Sequence, residues 1–459
     1  AVREASNTAH LEDSIGSAAF NVYGCRPPPG DQGDVHRKVL SLACRYGGMG
    51  LTQAQVICSQ AFLAASLAAA NFVESKFPPG SLTARVFTAT RDSVDSALGR
   101  APLPSSDYVE ELVNGMLDHI RLAQGVTNTT NPPAPARQVI TFRLMQDAAV
   151  KFQHTATDLY HRKIVSEVLQ TLSPDQATRF RSGQAAGSAP ALMCIPGPGN
   201  RIPNGEFHHL ARRRLLLPNI CHCDAGDRCP NPGTGCPPPP EGTPEILDAH
   251  LECCPRCFQP LISDRHWAVE SIIRNMLESA GMKVSKHEAN RHPATLAALT
   301  QAGFPLNLAD SPSRTARGGD ILLWGLDPRD PTKPSVVDLT VVSERARVNR
   351  GESTHAEYAE ARKRGKHGPM YSAIKYDFHG VAFEVGGALG PSARSLLLRA
   401  RDAWESRQGK GARPPNSDWS CPGFVAYWRS RMVSALQSRT ATLTLARARR
   451  MGEIRPPPS

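Results

Sequence analysis

Two aspartates and two lysines in residues 318–384 are the side chains whose types and spacing could act together on a phosphate ester. Asp320 and Asp338 each stand in an apolar run, GGDILLWG and SVVDLTVVS, where a buried strand tolerates a charge only for a reason. Lys363 and Lys366 are three residues apart in a helical pattern, so they share one helical face. Carboxylates bind a divalent cation that activates water, and a lysine can neutralise a phosphate. The set predicts a nuclease that uses Mg²⁺ or Mn²⁺.

The segments around these residues predict a small sheet with helices. SDRHWAVESIIRNMLESAG reads as an amphipathic helix with Ser263 or Asp264 as its N-cap and Gly281 as its stop. A strand over 282–288, which ends in Glu288, follows this helix. Four further elements follow along the chain: the Asp320 strand, the Asp338 strand, the lysine helix and a last strand over 380–385.

The lysine helix also contains residues that disfavour helical structure. Gly365, Gly368 and Pro369 lie within or just after it, and proline removes an interior hydrogen bond. We therefore expect the helix to be weakened or broken there, and the sequence leaves open whether Lys363 or Lys366 serves the carboxylates.

Seven of the 12 cysteines fall between 221 and 257, which is typical of metal ligands rather than of scattered disulfides. Cys221 and Cys223 form one pair of soft ligands, and His250 and Cys254 suit a second pair on a helical turn. Together they predict a tetrahedral Zn²⁺ site. The alternatives are buried or free thiols, or the use of further cysteines as ligands: Cys229, Cys236, Cys253 and Cys257.

The charge of the chain favours a polyanionic partner. The 53 basic and 42 acidic residues give a net charge of +11, which favours a polyanion over acidic small molecules; a solvated basic surface is the alternative. Arg212, Arg213 and Arg214 follow one another on a predicted helix before the cysteine cluster. They are interpreted either as a stripe that contacts phosphates or as an ordinary solvated face.

Composition and patterning divide the chain into five parts. Residues 1–36 lead into a proline-rich joint and, because the chain begins without methionine, are expected to be the end of an upstream segment. A mostly helical region over 37–218, with helices near 52–73, 107–123 and 138–170, precedes the cysteine cluster at 219–258. The sheet region follows at 259–400, and a basic helical tail covers 401–459. No apolar run is long enough to span a membrane, and the first residues resemble no targeting signal, so we expect an intracellular protein.

The order of these motifs resembles the region downstream of the polymerase in non-LTR retrotransposons. Its landmarks are RYGGMGLT, EFHHLARRRLLLP, C-x-C, H-x3-C, DRHWAVESII, GGDILL, VVDLTVV, K-x2-K, FEVGGALG and YWRSRMVSALQSR. In that family they belong to a zinc-knuckle-like module and a restriction-like endonuclease of the PD-(D/E)xK class. The resemblance implies an α+β multidomain chain with a mostly helical N-terminal half, a small zinc module and an α/β restriction-endonuclease-like core.

The resemblance also assigns roles to the acidic residues. Asp320 takes the place of the first motif aspartate, although Gly319 stands where the family often has proline. Asp338 takes the second acidic position. Glu288 is similar to an acid that completes metal binding or positions water, and Glu384 matches a family acid of less certain role.

The basic position of the motif differs from the common pattern. Thr340 stands where the lysine of that pattern would be, which makes Lys363 or Lys366 the functional replacement in the helix. A tyrosine close to the second lysine also belongs to the family pattern, and His367 and Tyr371 are both near that place.

By this resemblance the protein is a nuclear endonuclease that nicks target DNA to prime reverse transcription. Its partners are then the DNA target and, through an upstream polymerase, the element RNA, with no membrane and no small-molecule substrate. No Tyr/Phe-x-Asp-Asp element occurs, so the polymerase palm is not expected in this chain. The alternative is a catalytically inactive, zinc-containing remnant that only binds nucleic acid.

Overall fold

A computed structural model describes residues 31–51, 152–185, 201–217, 259–304, 319–343, 354–418 and 420–450, together with a few isolated positions. These residues form nine helices of eight residues or more and four strands. The helices are α1 (Asp31–Ser41), α2 (Phe152–Thr171), α3 (Pro174–Gln184), α4 (Asn204–Arg214), α5 (Gln259–Ser279), α6 (Pro293–Gln301), α7 (His355–Ala373), α8 (Pro391–Gln408) and α9 (Phe424–Arg450). The strands are β1 (Lys283–Val284), β2 (Ile321–Trp324), β3 (Pro334–Val342) and β4 (Asp377–Glu384).

The chain forms two compact units, the first of which comprises residues 1–21, 27–46 and 50–171. Its described part is α1, a short 3-10 helix at Cys44–Tyr46, and α2. Lys38 of α1 pairs with Glu167 of α2 across 2.7 Å, and Arg45 pairs with Asp158 across 2.8 Å. Partly exposed pairs of this kind contribute little to stability, so they mainly fix the register of the two helices.

The second unit contains the sheet, whose strands lie in the order β1, β2, β3, β4. β2 is antiparallel to β1 and β3, whereas β3 and β4 are parallel and are joined through α7. The middle of β3 and the end of β4 are buried, as expected for β-branched and aromatic residues in a sheet covered on both faces. The described chain is therefore mostly helical, with a mixed four-stranded sheet packed against helices, and the predicted α+β class is confirmed at this level.

Side chains that alternate along β3 enter two different apolar clusters. Val337 and Leu339 join the main core, which α5, α8 and α9 complete through residues such as Ile273, Leu397 and Trp428. Val336 belongs instead to a smaller cluster on the other face, with Leu322 and Tyr371. Because strand side chains alternate, Asp338 shares its face with Val336. The main core includes residues beyond 400, where the sequence places a boundary, and α8 runs through that position.

The carboxylate of Glu360 fastens α7 to β4 and to the start of α8. It is 1% exposed and accepts hydrogen bonds from the backbone N–H groups of Ala382 at 3.1 Å, Ser392 at 2.8 Å and Ala393 at 3.1 Å. Two of these donors lie in the first turn of α8, where a helix leaves its N–H groups unsatisfied and favours negative charge. Gly390 leaves room for this carboxylate, since a Cβ there would overlap it.

Several element boundaries correct the sequence predictions. Helix α5 begins at Gln259, before the predicted caps Ser263 and Asp264, whereas Gly281 does follow it with a φ of +84°. Strand β1 covers two residues rather than 282–288. Strand β4 starts at Asp377 rather than at 380.

Helix α7 continues through Pro369, which the sequence predicts as a break. Pro369 and Gly365 are both exposed, so water can bond the Gly365 carbonyl that the proline leaves without a donor. Burial of His367 and Tyr371 on the sheet side holds the helix across this point.

Other predictions fall on residues outside the described ranges. The helices near 52–73 and 107–123 lie outside them, as do Cys221, Cys223, His250 and Cys254 of the predicted zinc site and the other cysteines of that cluster, and of the helix near 138–170 only α2 is described. No helix of the described residues is both long and apolar enough to cross a lipid bilayer.

Replacing Glu360 with glutamine should destabilise the second unit by about 2–3 kcal/mol, because an amide group would face backbone N–H donors that now bond a carboxylate. Urea unfolding followed by tryptophan fluorescence measures this change. Glu278→Gln is the matched control, since Glu278 is exposed on α5 and should change stability by less than about 0.5 kcal/mol. Equal unfolding midpoints for the two variants would contradict the role given to Glu360.

Candidate metal centre

The Asp338 side chain lies in the middle of β3, with its residue only 2% exposed. Its Oδ1 accepts a hydrogen bond from Lys363 Nζ at 2.8 Å, and the same ammonium donates to the Leu339 carbonyl oxygen at 2.6 Å. Lys363 comes this close because α7 crosses β4 at Gly380, where an added Cβ would lie 3.0 Å from the Lys363 Cβ. Of the two candidate lysines in α7, Lys363 is therefore the one that contacts Asp338.

The other oxygen of Asp338, Oδ2, is buried without a hydrogen bond in the described part of the chain. Burial raises the pKa of the Asp338 carboxyl, and the nearby Asp320 carboxylate acts in the same direction, against the effect of Lys363. A buried carboxylate oxygen without a donor is costly, so a further cation or donor at this place would be favourable.

Asp320 lies beside Asp338 at the start of β2. Ile321 pairs with Val337 in the antiparallel register, which brings Asp320 next to Asp338 across the two strands. Oδ2 of Asp320 accepts a hydrogen bond from the Leu339 backbone N–H at 2.6 Å. Burial opposes ionisation of Asp320, but His266, Lys363 and this N–H outweigh it and lower the pKa of the carboxyl.

Helix α5 adds three polar side chains to the same place, spaced four residues apart on one edge. His266 Nε2 lies 3.3 Å from Asp320 Oδ1 and 3.5 Å from Glu270 Oε2. Arg274 Nε bonds Glu270 Oε1 at 2.7 Å, and its NH2 group donates to the Asp320 carbonyl oxygen at 2.6 Å. Burial lowers the pKa of the His266 imidazole, but its contacts with Asp320 and Glu270 are stronger and raise that pKa to about 9.

His266, Glu270 and Asp320 could hold a metal ion together, since one donor atom from each lies within 4.8 Å of the others. They are the single group of three such donors among the residues that the structure describes. One imidazole nitrogen and two carboxylate oxygens are a donor set that suits divalent cations such as Mn²⁺. With Asp338 and Lys363 alongside, the site combines metal donors with a fixed ammonium.

The remaining sequence candidates lie elsewhere in the fold. Glu288 follows β1, forms an ion pair with Arg291 at 3.3 Å and has a side chain that is 40% exposed. Lys366 is exposed on α7. Glu384 is buried at the end of β4, where it accepts hydrogen bonds from Ser182 Oγ at 2.7 Å and from the Ala356 backbone N–H at 3.3 Å. Glu384 thus connects α3 to the first turn of α7, and these contacts give it a structural role.

The three consecutive arginines are on a helix, as predicted, but two of them point into the protein. Arg213 and Arg214 of α4 are 8% and 7% exposed, and Arg214 Nε donates to the Gly48 carbonyl oxygen at 3.1 Å. Arg212 alone of the three is partly exposed. The interpretation as a solvated face is therefore wrong for Arg213 and Arg214, and phosphate binding by the three arginines stays a prediction.

Sequence reasoning missed His266 and Glu270 as members of the site. Their signal is a histidine and a glutamate four apart in DRHWAVESII, which places both on one helical edge. That spacing is common on solvated helices, and only the approach of α5 to the start of β2 gives it significance.

The chain matches no protein-family model, and no curated protein matches it. The geometry of the site therefore carries the functional argument.

The turn before Asp320 is shaped by contact with a buried tyrosine. Gly319 has a φ of +99°, and a Cβ on it would overlap the Tyr371 hydroxyl oxygen and lie 3.1 Å from the Val336 Cγ1 atom. The Tyr371 ring is stacked on Phe378 with 5.4 Å between centroids, so it has little freedom to move. Burial raises the pKa of Tyr371, and the Asp338 and Asp320 carboxylates act in the same direction.

We expect Gly319→Ala to cost about 3 kcal/mol of unfolding free energy, through backbone strain and overlap with the tyrosine. Tyr371→Phe removes the overlapping oxygen, so the double variant should recover at least about 1 kcal/mol relative to the sum of the single changes. Urea unfolding of the four proteins in this cycle measures the coupling. Strictly additive effects would show that the tyrosine does not shape the turn.

Proposed function

We propose that this protein is a metal-dependent endonuclease that hydrolyses phosphodiester bonds in DNA. The observation that carries the proposal is the ion pair between the buried Asp338 and the partly buried Lys363, beside the Asp320 carboxylate at the start of the adjacent strand. An ion pair of this kind is costly to bury as a purely structural device. Two carboxylates and a lysine can bind a divalent cation and stabilise the charge on a hydrolysed phosphate.

The donor atoms fit a divalent cation of the kind the proposal needs. Asp338 Oδ2 has no hydrogen bond among the described residues, and Asp320 Oδ1 lies 3.3 Å from the Nε2 atom of His266. Mg²⁺ or Mn²⁺ held by these carboxylates would polarise the scissile phosphate and lower the pKa of a bound water.

The residues of the chain have separate tasks in this proposal. Asp320 and Asp338 hold the cation, and the Leu339 N–H fixes the Asp320 carboxylate through its Oδ2 atom. Lys363 donates two of its three N–H bonds to Asp338 and to the Leu339 carbonyl oxygen, which fixes its position. Its third N–H would stabilise the negative charge that develops on the phosphate in the transition state.

The proposed substrate follows from charge and from the resemblance of the motifs. A net charge of +11 favours a nucleic acid over a small acidic ester. The order of α5, β1, β2, β3, α7 and β4 is consistent with a restriction-endonuclease-like core. By the same resemblance, nicked target DNA would prime reverse transcription on the element RNA in the nucleus, and the four residues Cys221, Cys223, His250 and Cys254 would bind Zn²⁺.

One observation favours a second function, a nucleic-acid-binding protein without nuclease activity. Lys363 neutralises Asp338, and His266, with its pKa raised to about 9, neutralises Asp320. Carboxylates that internal cations already neutralise need no metal ion to offset the cost of their burial. The two functions differ in whether DNA is cut.

Purified protein should nick supercoiled plasmid in Mg²⁺ or Mn²⁺ and not in EDTA. Asp338→Asn removes a cation ligand, and Lys363→Met removes the ammonium group that stabilises the negative charge on the phosphate. Each variant should therefore lower the nicking rate about 100-fold or more. Conversion of supercoiled to open-circular DNA on agarose gels measures the rate.

Asp402→Asn is the matched control, since Asp402 is exposed on α8 and forms an ion pair with its neighbour Arg401. This variant should nick at the native rate. Native protein that binds the plasmid but leaves it intact with both cations would favour the second function. Cleavage that survives Asp338→Asn would place the reaction at another site.

A further inference from the structure

We infer that His266 and Glu270 are ligands of the divalent cation together with Asp320, and that they make this site prefer Mn²⁺ over Mg²⁺. The inference extends the proposed function, because it assigns to the same site two ligands from helix α5 and a metal preference. The sequence motifs indicate Asp320 and Asp338 as ligands, but they do not indicate His266 or Glu270.

The first support is that the three donors converge from two separate elements. His266 and Glu270 come from successive turns of α5, and Asp320 comes from the turn before β2. His266 Nε2 lies 3.3 Å from one carboxylate and 3.5 Å from the other. A cation between these atoms would take the place of the proton on His266 and of its ion pairs with the two carboxylates.

The second support is the way Arg274 holds the group. Its guanidinium bonds Glu270 Oε1 at 2.7 Å, the Asp320 carbonyl oxygen at 2.6 Å and the Ser285 carbonyl oxygen at 2.8 Å. These contacts fix α5 against the start of β2 and leave Oε2 of Glu270 on the side of His266. Outer residues that orient ligands in this way are a regular feature of metal sites.

The third support is the Asp338 carboxylate, which is 2% exposed and has an oxygen without a hydrogen bond among the described residues. This observation is independent of the α5 cluster, and it leaves the Oδ2 atom of Asp338, beside Asp320, able to accept a bond from a further cation. A cation at Asp320 would lie next to that carboxylate and would reduce the cost of burying it.

The chemistry of the donors determines the preferred ion. Mg²⁺ binds oxygen ligands and loses its water reluctantly, whereas an imidazole nitrogen suits transition metals. Mn²⁺ accepts both kinds of donor. Because Mn²⁺ has little preference for thiolates, the predicted cysteine site should not compete strongly for it.

The test uses the full chain without DNA and titrates it with Mn²⁺, with free Mn²⁺ measured by electron paramagnetic resonance. His266→Asn and Glu270→Gln should each weaken Mn²⁺ binding about tenfold or more, and Asp402→Asn should bind as the native protein does. Pulsed measurements should show nitrogen modulation from an imidazole ligand in native protein and in Glu270→Gln, and none in His266→Asn. Native Mn²⁺ affinity in both α5 variants, or nitrogen modulation that survives His266→Asn, would overturn the inference.

Plasmid nicking distinguishes a failure of this inference from a failure of the proposed function. If the α5 variants bind Mn²⁺ normally while Asp338→Asn loses nicking, the nuclease stands and the ligand assignment is wrong. If the α5 variants lose Mn²⁺ but native protein never nicks DNA, the metal site stands without the nuclease. Thermal unfolding of each variant identifies any loss of binding that comes from misfolding, and the two α5 substitutions are close in shape to the native side chains.

Discussion

The burial of the Asp338 carboxylate in the centre of the sheet is the constraint on which the rest of the site depends. Its cost is met by Lys363, which must approach from the helix that crosses over β4. That approach requires Gly380 beneath α7, and it requires the anchoring of α7 by Glu360. Lys363, Gly380 and Glu360, all distant from Asp338 in sequence, thus support this one ion pair. The long helix α7 remains continuous through Pro369 because this packing holds it.

Ion pairs around Asp338 connect the sheet to helices α5 and α7. Three carboxylates, those of Asp338, Asp320 and Glu270, face three cationic groups, those of Lys363, His266 and Arg274. Helix α7 supplies the first cation and helix α5 the other two, so the site exists only where both helices meet the sheet. A divalent cation in place of the His266 proton would add one positive charge beside these three carboxylates, a change that a site rich in carboxylates favours.

The sequence predicts the centre of this site better than its edges. An aspartate inside the apolar run VVDLTVV needs a charged or hydrogen-bonding partner, so the sequence singles out Asp338. The α+β class follows from apolar runs between helical patterns. The choice of Lys363 over Lys366 depends on which turn of α7 lies over Gly380, and the membership of His266 depends on a contact with a residue 54 positions away. The burial of Arg213 and Arg214 likewise comes from tertiary packing, which a run of arginines in a sequence does not indicate.

The central claim is that one divalent cation binds between α5 and the adjacent strands β2 and β3, and crystallography with anomalous scattering from Mn²⁺ tests it most directly. Crystals of the full chain grown with Mn²⁺ should show an anomalous peak about 2.0–2.3 Å from the Asp320 carboxylate, at a distance typical of metal–oxygen coordination. A peak only at the cysteine cluster or on the surface, with no density at Asp320, would contradict the account.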